Sequence, residues 1–239
     1  MKHTLVQTAI AAGLLGMLPA AHAVPTLSYS VDGGAAITCA DGAACDTNST
    51  AGVVTFSQSL GDFLINVSTG LSKPTLTGGN PLMDLNTVNI QVTGGAHTLV
   101  IGFSDTGFDL YGGKFGMEYG GVLSASTDAS IDYSAYYDAG NAAFAQTTLI
   151  GQGGSAAGAF SGYVEGGWSP DSPYSVSQIL TLKTSGGLTS FSGDFEVNVP
   201  EPGTLALAGL ALLGLALVHR RRVPARAFSL LDTRRTARR

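Results

Sequence analysis

Charge is scarce in this 239-residue chain, where Asp, Glu, Lys and Arg make up 12% of the residues. That is about half of what a soluble domain carries. Arginine is absent until Arg220, and only Lys73, Lys114 and Lys183 are basic between residues 24 and 199. With a net charge of −5, this excludes a nucleic-acid binder. His97 is the single histidine of that stretch, too few for an ordinary zinc site. No Gly-x-Ser-x-Gly elbow accompanies it, so His97 reads as a strand-edge residue beside Thr98-Leu99-Val100-Ile101. Only two cysteines are present, Cys39 and Cys45, with no histidine or third thiol nearby to complete a metal site. No segment between 24 and 199 has a helical period. What is abundant is glycine, 33 residues, within a composition that is 44% hydrophobic and therefore not disordered.

The two ends read as addresses. Lys2, the apolar stretch Ala9–Leu18 and the small-x-small site Ala21-His22-Ala23 make residues 1–23 a secretory signal peptide, with the mature chain starting at Val24. Near the other end, Thr204–Val218 is an uncharged run of 15 residues, closed by Arg220, Arg221 and Arg222. As a helix it spans about 22 Å, just short of the roughly 30 Å hydrocarbon core, and arginine side chains can snorkel to the interface. Residues 219–239 hold eight Arg against Asp232, a balance of +7; residues 24–199 hold three Lys against 15 acids, a balance of −12. The positive-inside rule keeps the basic tail (223–239) in the cytoplasm while the signal peptide exports the acidic body. One C-terminal transmembrane helix is the expectation.

Immediately before that run stand Pro200, Glu201 and Pro202. Two prolines fix φ and remove N–H donors, which holds the strip extended and unpaired. Pro-Glu-Pro, a Gly/Ala/Leu-rich helix and an arginine cluster, in that order on a chain with a signal peptide, resemble the PEP-CTERM sorting signal. The resemblance covers 200–222 and implies a Gram-negative source and export across its inner membrane. It also implies an exosortase-type processing enzyme as partner, with Pro200, Glu201 and Pro202 as the recognition tripeptide. The family usually ends within a few residues of the arginine cluster, whereas 17 further residues follow here.

The body, 24–199, alternates apolar and polar residues in short runs. Ile131, Tyr133, Ala135 and Tyr137 share one face; Phe191, Phe195 and Val197 oppose Ser192, Asp194 and Glu196; Phe63, Ile65 and Val67 oppose Leu64, Asn66 and Ser68. Glycine pairs at 33–34, 78–79, 94–95, 112–113, 153–154, 166–167 and 186–187 read as turns between strands. The pattern predicts strands near 26–31, 52–58, 62–69, 87–93, 97–104, 114–119, 121–127, 130–137, 157–165, 174–183 and 188–198. A mainly β fold follows: a single antiparallel β-sandwich, jelly-roll-like. The order Cys39…Cys45-Asp46, Ser104-Asp105-Thr106-Gly107-Phe108, Tyr136-Tyr137-Asp138 resembles a body type common among PEP-CTERM proteins, one that brings no established activity.

In an exported chain, Cys39 and Cys45 favour a disulfide, with a metal pair as the weaker alternative. Asp41, Asp46 and Asn48 offer oxygen ligands for Ca²⁺ but equally suit a solvated turn, the stronger reading, and Asp105 and Asp109 flank a turn at Gly107 in the same way. Tyr136, Trp168 and Tyr174 are the candidate stacking platforms for a sugar. No cofactor, metal or catalytic set is expected. The sequence points to a non-enzymatic surface or extracellular-matrix protein, with exopolysaccharide binding as the alternative and a secreted hydrolase as the weakest reading.

Overall fold

Two-residue periodicity is satisfied by strands that bury one face, and the computed structural model has twelve of them among its described residues. It describes residues 24–77, 82–171, 173–199 and 212–213. The strands are β1 (Thr26–Val31), β2 (Ile37–Ala40), β3 (Val53–Leu60), β4 (Phe63–Leu71), β5 (Met83–Val92) and β6 (His97–Phe108), followed by β7 (Lys114–Ala125), β8 (Ala129–Asp138), β9 (Thr148–Ala156), β10 (Gly158–Trp168), β11 (Tyr174–Thr184) and β12 (Thr189–Asn198). They form two six-stranded sheets, in the orders β2-β1-β6-β11-β8-β9 and β10-β7-β12-β5-β4-β3. All ten strand pairings are antiparallel. The expected mainly β, antiparallel two-sheet architecture is therefore present.

The alternation places the core as the sequence implies. Phe63 and Ile65 are buried while Leu64 is exposed; Phe191, Phe195 and Val197 are buried while Ser192 and Asp194 face water. Rings meet across the sandwich, Tyr29 on Phe56 at 4.2 Å between centroids and Tyr133 on Phe195 at 4.7 Å. Such pairs add to the burial of their area.

Several glycines predicted to mark turns lie inside strands instead. Gly120 and Gly121 carry β7 straight through what reads as two strands. A side chain at Gly121 would press on Ser192 O of the paired β12, so glycine is needed there for close backbone approach. Gly153 and Gly154 belong to β9, which glycine content hides from the pattern. The Tyr119 ring fills the space that Cβ atoms at Gly153 and Gly162 would occupy, which lets β9 and β10 draw together where the two sheets meet. Gly166 and Gly167 form a bulge within β10. Gly107, with φ +69°, is likewise part of β6 rather than a turn. The pair Gly78-Gly79 lies outside the described residues. The four-residue β2 is too short to announce itself.

Cys39 and Cys45 are bonded. Asp46 accepts backbone N–H groups of Gly42, Asn48 and Thr55 at 2.8–3.0 Å, and Asp41 accepts that of Gly52 at 2.7 Å. Their carboxylates organise the loop, as the turn reading expects. The signal peptide 1–23 falls outside the described residues, and so does the apolar segment except for Leu212 and Leu213, which are helical. Among the described residues no helix is long and apolar enough to cross a membrane.

Candidate functional site

The outer face of the second sheet concentrates the unpaired acids of the domain. Register aligns Tyr163 of β10, Glu118 of β7, Glu196 of β12 and Asp84 of β5 in one row across four strands. The next row runs Ser161, Gly120, Asp194, Asn86. Like charges directly opposite on neighbouring strands destabilise a sheet, so this row costs the fold stability.

Gly120 carries no side chain in the row beside Tyr163, and the result is an open depression of about 590 Å³ bounded by Glu118, Asp194 and Glu196. Tyr163 is 50% exposed and donates from its hydroxyl to Glu165 at 3.1 Å. Lys114 holds Glu165 at 2.8 Å and keeps its carboxyl below the usual range. The Asn86 amide donates to Asp194 at 3.3 Å.

Oxygen atoms of Asp84, Asp194 and Glu196 lie within 4.8 Å of one another. Burial first, and then the charge of Asp194, push the Asp84 carboxyl up to about 7, and it shares a hydrogen bond with Asp194. Burial followed by the charge of Asp194 also raises Glu196. Three such oxygens can approach a divalent cation, or accept hydrogen bonds from hydroxyl groups. The mutual repulsion favours the protonated form of Asp84.

The residues singled out from sequence are not brought together. Tyr136 is half-buried on β8 of the first sheet, opposite Ser177. Trp168 is 63% exposed at the end of β10, in the second sheet. Tyr174 is fully buried: its ring packs on Phe108 and Phe115 and its hydroxyl donates to Leu110 O at 3.0 Å. It has no face left for a ligand, because it opens β11 on the core side. Tyr163 is the aromatic that meets the carboxylates, and only the pairing of β10 with β7 reveals it.

Asp105 corrects the turn reading further. It is fully buried in β6, accepting from Ser72 Oγ at 2.7 Å and Lys73 Nζ at 2.8 Å, with the ammonium 4.1 Å over the Phe108 ring. Asp109 is exposed just past the strand. His97 stands at the start of β6 as expected, with Asp32 at 2.8 Å from Nδ1 and Asp62 at 3.0 Å from Nε2. Both ring nitrogens face carboxylates, so neither is free to take a proton from a substrate.

β12 ends at Asn198, and Pro200 comes two residues later. Residues 198–222 match the family model described as the PEP-CTERM protein-sorting motif. The chain carries a PEP-CTERM sorting motif. This motif implies export. It contains the tripeptide Pro200–Pro202 and ends on Arg222, the last of the three clustered arginines. No curated protein matches the chain. Among solved structures, TmCBM61 in complex with β-1,4-galactotriose is 8% identical, with 62% of this chain and 86% of that one covered and a TM-score of 0.33. The K1 cleaved adhesin domain of Lys-gingipain from Porphyromonas gingivalis is 15% identical, with 57% and 84% covered and a TM-score of 0.29.

Proposed function

We propose that this is a non-enzymatic surface or extracellular-matrix protein, exported across the inner membrane and processed at its PEP-CTERM signal by an exosortase-type enzyme. The observation that carries the reading is the sorting motif at 198–222, fused directly to an acidic β-sandwich. Residues 1–23 begin the journey and the Arg220–Arg222 cluster arrests it, leaving 223–239 on the cytoplasmic side. Support for a non-catalytic body comes from His97, whose nitrogens are both occupied, and from acids that lie on an open sheet face. The test replaces Pro200, Glu201 and Pro202 with Ala in the native host and follows the body by protease shaving of whole cells. Delivery to the surface should be lost; full surface display of the variant would reject the reading.

A second role is favoured by Tyr163, an exposed ring beside the carboxylates of Asp194 and Glu196 and the bare backbone of Gly120. We infer that this face holds a neutral polysaccharide, with the ring stacking on a sugar and Asp194 and Glu196 accepting from its hydroxyls. A negatively charged polymer would be repelled by the same row. Retention on the host's neutral exopolysaccharide should fall at least tenfold for Tyr163→Ala and be untouched by Trp168→Ala. Equal retention of wild type and Tyr163→Ala rejects this role.

A further inference from the structure

β12 is both the last strand of the sandwich and an interior strand of its sheet, with β7 on one side and β5 on the other. Its pairing persists to the end. Val197 lies opposite Met83 and Met117, Asn198 lies opposite Gly116, and Leu82 N–H donates to Val197 O at 2.7 Å. Asn198 and Val199 are each 4% exposed. Pro200, the first residue of the sorting tripeptide, follows Val199 with no spacer at all. The sorting motif therefore begins inside the fold, on Asn198.

An enzyme that cuts a peptide bond takes the chain extended, with unpaired residues on both sides of that bond. Upstream of Pro200 such residues do not exist while the sandwich is folded. Residues 195–197 have strand partners on both sides, Asn198 is paired to Gly116 on β7 and buried, and Val199 is packed away. Peeling them free would strip the middle of the sheet, since β10-β7 and β5-β4-β3 are joined only through β12.

Building on the proposed exosortase processing, we infer that the sandwich itself sets the place and pace of that cut. The paired end of β12 bars every bond up to and including Val199–Pro200, so the released domain ends at Pro200 or later. The fold also slows the reaction, because the upstream half of the enzyme's cleft meets a rigid sheet instead of a flexible strip. In the cut itself one C–N bond breaks. The acyl carbon passes to water or to an acceptor amine, and the departing helix fragment leaves as an amine carrying the proton that the acceptor gives up.

The test inserts Gly-Ser-Gly-Ser between Val199 and Pro200 of the full chain in its native host. Conversion of precursor is followed by pulse-chase, and the end of the product is read by mass spectrometry. Because the insertion lies after Val199, the last described residue of the sandwich, the paired strands are unchanged, and a thermal melt of the released domain checks this. The wild-type product should end at Pro200 or beyond, and the spacer should speed conversion at least threefold. A wild-type product ending at Val199 or earlier, or equal rates with and without the spacer, overturns the inference. A Glu201→Ala control separates the two levels: if wild type and control both keep the chain through Arg239, processing itself is absent and the underlying reading fails as well.

Discussion

Replacing Asp84 by Asn should stabilise the domain, and only above a defined pH. Asp84 faces Glu196 directly across β5 and β12, with Asp194 close by, and its Oδ1 is buried without a hydrogen-bond partner. Burial, followed by the Asp194 and Glu196 charges, raises its carboxyl from 3.8 to about 7. A group whose folded-state pKa lies above its unfolded value contributes stability that is complete below the unfolded value and lost as pH rises through the folded one. The window therefore runs from pH 3.8 to about 7. Unscreened, that gap corresponds to about 4 kcal/mol; with the side chain partly open to water, screening leaves about 1–2 kcal/mol. Asn keeps the shape, cannot ionise, and its amide can donate to Asp194 as the protonated acid does. Thermal melts of wild type and Asp84→Asn should coincide at pH 4 and differ at pH 8, the variant melting about 3–6 °C higher. A variant less stable at every pH, or one whose advantage is largest at pH 4, would refute the reasoning.

Three other perturbations probe different parts of the structure. Gly153→Ala places a methyl group against the Tyr119 ring, and denaturant titration should show a loss of about 1–3 kcal/mol from overpacking. Lys73→Met leaves the fully buried Asp105 without its cation, and urea unfolding should register a loss of about 3 kcal/mol. His97 is raised above its usual range, chiefly by its hydrogen bond to Asp32, while Asp32 is lowered chiefly by the same bond. This link is complete between the unfolded carboxylate value and the unfolded histidine value. It is lost as pH falls through the lowered folded Asp32 value and as pH rises through the raised folded His97 value. In His97→Gln the decline on the alkaline side of the histidine range should disappear from a plot of melting temperature against pH; a decline of the same size would contradict the link.

Alternation made most of the sandwich legible, because a strand with one wet face writes its burial directly into residues such as Phe191, Asp194 and Phe195. Glycine is where that reading stops. The same residue makes the turn at Gly186-Gly187 and the tight contact at Gly153, and a local pattern cannot distinguish a bend from a neighbour's ring. The candidate site was hidden for a related reason. Asp84, Glu118, Tyr163 and Glu196 are separated widely in the chain and become a row only through the register of four strands. Tyr174 failed as a surface aromatic because exposure depends on which face begins β11. The sorting motif was legible because all of its parts are contiguous.

The most direct test of the account is the intact mass of the protein recovered from the native cell surface or medium. The account predicts a chain that starts at Val24 and lacks the arginine-rich segment after residue 219. A mass for the whole 24.3 kDa chain, or for one that still carries residues 219–239, would contradict it.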